Sequence, residues 1–340
     1  MTKVGLIGAG KMGISHLSIL GAHPDVEISG VVDTSKLVTE VLNKYSDFYC
    51  FDDYKEMIRK TDPEAVFVAT PTKSHAHIVK ELLLNDIHVF VEKPFCLNTE
   101  EGRELVKIAK ERGLVNQVGY HNKFIGTFSE AKKIITEGYI GNIHHFSADM
   151  NGPVVIQKKE ITWRSKPDEG GGCLMDYAAH IIDLVNDVIA PIENVKSAIL
   201  KSYYSNQVED SVYALLETEN KISGVLNVNW SDETYRKMST SLTIIGSKGK
   251  INVDSTELKV FFKDNRTPND YSKGWNIKHI NELTEDVDFY LRGEEYSAQI
   301  DYFIGAIEGR FKNVKNTFEN ALKTDQVIEK IKTFKILNYA

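Results

Sequence analysis

An acid and a base stand side by side at the end of a short apolar stretch. His88 to Val91 is the apolar run, and Glu92, Lys93 and Pro94 follow it directly. Strands that are apolar on both faces are typical of parallel sheets, where ligands bind beyond the carboxyl ends of the strands. The sequence therefore predicts that Glu92 and Lys93 point at a crevice, with Pro94 fixing φ and permitting a cis bond that restricts the lysine. The alternative is a surface ion pair that ends the strand.

A second acid–base pair follows three consecutive glycines, Gly170 to Gly172. Apolar spacing predicts a helix from Cys173 to Val188, on which Asp176 and His180 are four apart and share one face. A carboxylate that holds one imidazole nitrogen leaves the other nitrogen able to take a proton from an alcohol. The alternative is an exposed Asp–His pair on a helix with an acidic side.

Trp163 and Arg164 lie just ahead of those glycines, in a polar, irregular stretch from Gly152 to Glu169. A guanidinium can bind a phosphate or carboxylate, and an aromatic ring can cover the face of a sugar. Both residues are therefore candidate substrate contacts. Simple loop packing is the alternative for Trp163.

A glycine-rich loop opens the chain. Lys3 to Ile7 reads as a strand that runs into Gly8-Ala9-Gly10-Lys11-Met12-Gly13 and then a helical pattern. A second strand, Glu27 to Val32, ends at Asp33, which lies 20 positions beyond Gly13 (33 minus 13) as expected of a ribose ligand. Asp33 would accept hydrogen bonds from the ribose and repel a 2′-phosphate, which favours NAD over NADP, although Lys36 is a nearby basic residue that could soften this preference.

The three glycines of this loop have separate physical roles. Gly8 permits the tight turn, Gly10 lets the backbone approach a pyrophosphate, and Gly13 lets helix and strand pack closely. The helix that follows offers free N–H groups and a positive dipole end to the anion. The loop therefore predicts a dinucleotide site.

The elements that must position these residues fall into two parts. Six strands alternate with helices over about 120 residues, which predicts a doubly wound parallel sheet in a dinucleotide domain at 1–122. From 123 to 340 we expect an α/β domain with a large, mainly antiparallel open sheet, and a C-terminal helix that can pack back on the first domain. The charged stretch from Asp264 to Glu294 receives no secondary structure from the sequence.

Composition excludes several classes of protein. The chain has 340 residues, 42% hydrophobic and 26% charged, with a formal net charge of −7, so nucleic acid and anionic membranes are disfavoured as partners. No stretch reaches the roughly 20 apolar residues of a membrane span, and a strand begins too early to leave room for a signal peptide. Three widely spaced cysteines suggest neither a disulfide framework nor a metal site. We therefore expect a cytoplasmic protein with no metal.

With these motifs in hand, the sequence resembles the glucose-fructose oxidoreductase, inositol dehydrogenase and rhizopine-catabolism (Gfo/Idh/MocA) family. The matching segments are GLIGAGKMG at the start, VFVATPTKSH at 66–75, VFVEKPF at 89–95, VGYHNKF at 118–124, GGGCLMDYAAHIID at 170–183 and IIGSKGKI at 244–251. The resemblance implies a Rossmann domain joined to an α/β domain whose free sheet face forms a homodimer or homotetramer. It also implies NAD(P)-linked oxidation or reduction of a sugar, cyclitol or sugar derivative.

The resemblance also assigns residues. Lys93, Asp176 and His180 match the catalytic trio, in which His180 removes the hydroxyl proton, Asp176 fixes its tautomer and Lys93 stabilises the alkoxide; relatives differ on whether lysine or histidine is the base. The implied cofactor residues are Gly8, Gly10, Lys11, Met12, Gly13, Asp33, Thr34, Thr70, Pro71, Thr72, His75, Glu92 and Lys93. The candidate substrate residues are Lys93, Tyr120, Asp176 and His180, together with Trp163 and Arg164, which are proposed above from their chemistry.

Some alternatives stay open. His75, at the start of a helix, is in many proteins a structural residue. Many relatives carry Phe-Asn-Arg-Arg where this chain has Tyr120-His121-Asn122-Lys123, so the contacts of these side chains with cofactor and substrate stay open. Two other functions remain open: an enzyme with tightly held NAD whose net reaction is elimination or hydrolysis, and a sensor that binds NAD or sugar without turnover.

Overall fold

The computed structural model describes residues 1–45, 48–154, 162–287 and 293–339. The chain divides into two compact units: Met1–His121 with Asp286–Leu322, and Asn122–Glu285 with Lys323–Ala340. Positions 155–161 of the predicted irregular stretch and positions 288–292 of the charged stretch lie outside the described residues.

The first unit is built on a six-stranded parallel sheet. Its strands are β1 (Thr2–Ile7), β2 (Val26–Val32), β3 (Cys50–Phe51), β4 (Ala65–Val68), β5 (His88–Val91) and β6 (Asn116–Val118). They pair in the order β3-β2-β1-β4-β5-β6. This is the order of a Rossmann fold, so the predicted doubly wound sheet is confirmed.

Helices alternate with the strands of the first unit. They are α1 (Lys11–Ala22), α2 (Lys36–Tyr45), α3 (Tyr54–Thr61), α4 (His75–Leu84) and α5 (Thr99–Glu111). Asn98 caps α5 by accepting a hydrogen bond from the Glu100 N–H at 2.8 Å, as expected of an N-cap asparagine. The chain after Pro94 runs without helix until Thr99.

The buried face of α1 differs from the apolar pattern in the sequence. Ile14 is 40% exposed, while Gly13, His16, Leu17 and Leu20 are buried. A histidine thus occupies a core position, where its ring contacts the aromatic rings of β4 and β5. A later helix, α9 (Glu294–Ile307), joins the same core.

The second unit contains an eight-stranded sheet in which β7 and β10 form a parallel pair and the other pairs are antiparallel. Its strands are β7 (Ile143–Asn151), β8 (Ile192–Lys201), β9 (Ser211–Thr218), β10 (Ser223–Asn229), β11 (Ser239–Gly246), β12 (Gly249–Asp254), β13 (Glu257–Phe262) and β14 (Gly274–His279). Their order is β14-β13-β12-β11-β7-β10-β9-β8, so the predicted mainly antiparallel sheet is confirmed. The sequence missed β14, which lies within the charged stretch.

Helices pack on this sheet or lie beside it. They are α6 (Gly126–Thr136), α7 (Ala179–Val188) and α8 (Ile280–Leu283), and a final helix, α10 (Phe318–Tyr339), closes the chain. The predicted helix over 173–188 is in fact two elements, because Leu174–Ala178 forms a π-helical turn ahead of α7. Among the described residues, no helix combines the length and apolar character needed to cross a bilayer.

Candidate active site

Three loops of the first unit follow the carboxyl ends of neighbouring strands in its sheet. β1, β4 and β5 are neighbours, and they are followed by the loops over 8–13, 70–72 and 92–94. The strand order reverses between β1 and β4, which is the position at which such sheets bind ligands. The sheet thus brings three parts of the chain together at the carboxyl ends of its strands: the glycine loop, the segment over 70–72 (the Thr70 segment) and Lys93.

The glycine loop has the shape that a dinucleotide requires. Gly8 has φ +93°, a conformation that favours glycine, and a Cβ on Gly13 would overlap the carbonyl oxygen of Gly8. A Cβ on Gly10 would meet nothing within 4 Å, so the backbone there is open to a ligand. Lys11 is exposed and Met12 half-buried in the first turn of α1. These residues fit a pyrophosphate at the start of α1.

Asp33 is held at this loop by two backbone hydrogen bonds. Its Oδ2 accepts from the Ala9 N–H at 2.8 Å, and its Oδ1 accepts from the Ser35 N–H at 2.8 Å. The carboxylate therefore lies beside the glycine turn, with exposed Thr34 next to it. This is the arrangement expected of a ribose ligand.

The buried side chain of His75 contacts the segment that follows β4. His75 is 1% exposed, and its Nδ1 and Nε2 each lie 2.9 Å from a carbonyl oxygen, that of Pro94 and that of Thr70 respectively. Burial lowers the pKa of this imidazole, although hydrogen bonds to the two carbonyls oppose the shift. Thr72 is also buried, whereas Pro71 is exposed.

Glu92 is buried and paired with a histidine that the sequence analysis did not single out. Its Oε1 lies 2.6 Å from Nε2 of His16, and its Oε2 accepts from the Lys93 N–H at 3.2 Å. Burial alone would raise the pKa of Glu92, but the hydrogen bond from His16 and the nearby charge of Lys93 lower it. The Lys93–Pro94 bond is cis. Glu92 thus stays ionised beside Lys93.

In the second unit, three predicted residues come together. Nε of Arg164 donates to Oδ2 of Asp176 at 2.7 Å, and the Arg164 guanidinium lies 4.5 Å from the centre of the Trp163 ring. Asp176 is 2% exposed and lies in the π-helical turn, and His180 is 5% exposed on α7. Asp176 therefore lies in a π-helical turn and not in the α-helix that the sequence predicts, and its place on one face with His180 stays a prediction.

The start of that turn is fixed by Glu209, which the sequence analysis also missed. Its Oε1 accepts from the Leu174 N–H at 2.8 Å, and its carbonyl accepts from the Cys173 N–H at 3.0 Å. Gly172 has φ +105°, and a Cβ there would overlap the Glu209 carboxylate. An acid on N–H groups at a helix start is favourable, so Glu209 anchors the segment that carries Asp176.

All four residues of the segment over 120–123 are buried. Tyr120 is 1% exposed, which leaves little of its side chain for a substrate. In the second unit, Nζ of Lys123 lies 2.9 Å from Oδ1 of Asp183, and both side chains are almost fully buried. Among the described residues, no cluster of histidine, cysteine and acidic side chains could hold a metal ion.

The fold and the glycine loop define a dinucleotide-binding oxidoreductase, and comparison with known proteins names the family. Residues 2–120 match the model of the oxidoreductase family with an NAD-binding Rossmann fold, and residues 128–252 match the GFO/IDH/MocA C-terminal domain. The chain belongs to the Gfo/Idh/MocA family of NAD(P)-dependent oxidoreductases. The resemblance found in the sequence is therefore confirmed.

Individual relatives are distant. The dTDP-3,4-didehydro-2,6-dideoxy-alpha-D-glucose 3-reductase of Streptomyces antibioticus is 26% identical over 258 residues, covering 74% of this chain and 75% of that protein. Levoglucosan dehydrogenase in complex with NADH and levoglucosan superposes with a TM-score of 0.87 at 21% identity, covering 99% and 97% of the two chains. The WlbA dehydrogenase from Bordetella pertussis, in complex with NADH and UDP-GlcNAcA, gives 0.86 at 22% identity, with coverage of 99% and 96%. These superpositions establish the shared fold.

Proposed function

We propose that this protein transfers hydride between NAD and a secondary alcohol, or the corresponding ketone, of a sugar, cyclitol or sugar derivative. Sugar phosphates and nucleotide-sugars are included in this class. The proposal rests on one observation: the glycine loop, the Thr70 segment and Lys93 each follow the carboxyl end of one of three neighbouring parallel strands. The names of the relatives, which refer to a nucleotide-sugar reductase and a sugar dehydrogenase, support the substrate class.

NAD rather than NADP is the proposed cofactor. Asp33 presents a carboxylate beside the glycine loop, where it can accept hydrogen bonds from ribose hydroxyls and repel a 2′-phosphate. The loop over 8–13 would hold the pyrophosphate, and the segments at 70–75 and 92–93 would line the nicotinamide side. When bound, NAD supplies a nicotinamide ring that takes a hydride from an alcohol carbon or returns it to a ketone.

The residues of this chain are proposed to handle the proton. His180 takes the hydroxyl proton, and Asp176 orients the imidazole in the required tautomer. The ammonium of Lys93 stabilises the negative charge that develops on the substrate oxygen. Arg164 keeps Asp176 in place through the hydrogen bond at 2.7 Å. In the direction of reduction, His180 returns the proton to the oxygen.

We also propose a homodimer or homotetramer formed through the open face of the second unit's sheet. Apolar side chains stand exposed on that face: Leu215 on β9 is 51% exposed, and Trp275 and Ile277 on β14 are 56% and 53% exposed. Leu215 is opposite Val225, and Trp275 is opposite Phe261, so these side chains continue across neighbouring strands. Extended apolar patches of this kind favour association between protein chains.

The test is a substrate screen on the purified protein. Sugars, cyclitols, sugar phosphates and nucleotide-sugars are offered with NAD or NADP, and reduced nicotinamide is followed by its absorbance. We expect NAD reduction with at least one member of these classes, and a much weaker response with NADP.

The screen also separates the two alternative functions. Reduced nicotinamide seen without added cofactor, together with a product that is not oxidised, would favour tightly held NAD and net elimination or hydrolysis. Binding of NAD and a sugar without any conversion would favour the sensor. Either result would replace the proposed dehydrogenase.

A further inference from the structure

Two buried histidines of the first unit contact the residues on either side of Lys93. His16 of α1 is fully buried, and its Nε2 lies 2.6 Å from Oε1 of Glu92. His75 of α4 is 1% exposed, and its Nδ1 lies 2.9 Å from the carbonyl oxygen of Pro94. Positions 92 and 94 are therefore both held from the protein interior.

The surroundings of His16 define which of its nitrogens carries the proton. Its ring centre lies 5.7 Å from that of Phe67 and 5.2 Å from that of Phe90, and in the described part of the chain its Nδ1 is buried without a hydrogen-bond acceptor. A proton on Nδ1 would be buried unsatisfied, which is costly. The imidazole therefore donates from Nε2 to the Glu92 carboxylate.

Glu92 connects His16 to the backbone of Lys93. Its second oxygen accepts the Lys93 backbone N–H at 3.2 Å. Gly119 lies close by, since a Cβ there would be only 3.0 Å from Oε1 of Glu92. A carboxylate held by His16 on one side and packed against a glycine on the other has little freedom, so the backbone that carries Lys93 is fixed as well.

His75 links the loop of Lys93 to the loop after β4. Its Nε2 lies 2.9 Å from the carbonyl oxygen of Thr70, while its Nδ1 faces Pro94 and the backbone of Phe95 is also near the ring. A neutral imidazole has one N–H, so it donates to one of the two loops while the ring stays packed between both. His75 thus joins the Thr70 segment to the residue after Lys93.

We propose that His16 and His75 are positioning residues for Lys93 that act through Glu92 and Pro94. This inference rests on the proposed function, in which Lys93 is catalytic. The hydrogen bond of His16 goes to the lysine loop and not to the Thr70 segment, so its loss lowers kcat more than it lowers NAD affinity. His75 also holds Thr70, whose segment is assigned to the cofactor, so its loss lowers both kcat and NAD affinity.

The experiment compares His16→Leu, His16→Gln and His75→Leu in the full-length protein, with Lys60→Ala on the exposed face of α3 as the control. For each variant, kcat and KM are measured with the substrate found by the screen, and the Kd for NAD is measured by calorimetry. Labelling of the Lys93 amine by an acylating reagent, relative to Lys107, is measured by mass spectrometry and does not depend on turnover. Circular dichroism checks folding, and His16→Asn replaces any leucine variant at position 16 that does not fold.

We expect His16→Leu to lower kcat by about 10²-fold, the scale of a small displacement of a catalytic group, with a smaller rise in the Kd for NAD than His75→Leu causes. His16→Gln restores most of the loss because its amide can donate to Glu92. The Lys93 to Lys107 labelling ratio changes in both leucine variants. Wild-type kcat and an unchanged labelling ratio in both would overturn the inference. Full activity in Lys93→Ala would instead refute the proposed function, and the labelling ratio would still test the positioning.

Discussion

The guanidinium of Arg164 donates through Nε to Oδ2 of Asp176 at 2.7 Å, with 29% of the arginine side chain exposed and 3% of the aspartate side chain. Arg164 was expected to bind an anionic group of the substrate, and Asp176 to orient His180. The ion pair joins these two roles, because one guanidinium nitrogen is engaged by the buried acid while the flat face rests on Trp163.

The Arg164–Asp176 ion pair predicts separate effects of an Arg164 variant on kcat and on KM. In Arg164→Gln, a buried Asp176 loses a charged donor, so we expect kcat to fall by roughly tenfold or more, the scale of a lost charged hydrogen bond. If Arg164 also binds an anionic substrate, KM rises for sugar phosphates but not for neutral sugars. Steady-state kinetics on one neutral and one phosphorylated substrate would measure both. An unchanged kcat would show that Arg164 does not support Asp176.

Asp33 is expected to set the choice of cofactor. Asp33→Ser removes the charge that repels a 2′-phosphate, so we expect KM for NAD to rise by about tenfold and the preference for NAD over NADP to shrink. The matched control is Asp86→Asn, an exposed acid ahead of β5 that already has a positive φ compatible with asparagine. Unchanged KM values for both cofactors in Asp33→Ser would contradict the assignment.

Asp183 predicts a pH dependence of stability. Its pKa is raised from 3.8 to about 6, chiefly by burial and to a smaller extent by the charge of Asp187, although the charge and hydrogen bond of Lys123 oppose the shift. The folded state binds this proton more tightly than the unfolded chain, so the contribution to stability is complete below pH 3.8 and is lost as the pH rises through about 6. The effect is about 3 kcal/mol at most.

Melting temperatures of the wild type and of Asp183→Asn, measured between pH 3.8 and about 6, test whether stability falls as the pH rises. The wild type is expected to lose stability relative to the variant as the pH rises, because asparagine does not titrate. Parallel curves for the two proteins would mean that Asp183 keeps an ordinary pKa.

The open sheet face predicts a defined effect on assembly. Leu215→Lys places a charge in the exposed apolar row of β9, and we expect it to convert the oligomer to a monomer. Leu84→Lys, at a 49% exposed leucine of α4, is the matched control and should leave assembly unchanged. Sedimentation equilibrium at micromolar concentration distinguishes the species. A monomeric wild-type protein would rule out the proposed interface.

Much of the fold followed from the sequence because its signals are local. The strands of the first sheet are continuous apolar runs, and Asn98 at the head of α5 is an ordinary N-cap residue. Strand β14 was missed because it lies at the edge of its sheet, with exposed Trp275 and Ile277 alternating with half-buried residues in a charged stretch.

The missed site residues depend on contacts that are distant in the chain. His16 pairs with Glu92 across 76 positions, and Glu209 holds Leu174 across 35. One signal for His16 was available, since a polar residue three positions after Gly13 and four before Leu20 lies within the buried stripe of α1. The π-helical turn at Leu174–Ala178 had no such signal, because its apolar residues also fit an α-helix.

The most direct test of the proposed reaction is the turnover of Lys93→Ala and His180→Ala, singly and combined, with Lys107→Ala and His144→Ala as exposed controls on other elements. We predict that each single variant lowers kcat by at least about 10²-fold while NAD still binds. Because both residues serve one chemical step, the double variant should lose far less than the product of the two effects. Wild-type turnover in either single variant would contradict the mechanism.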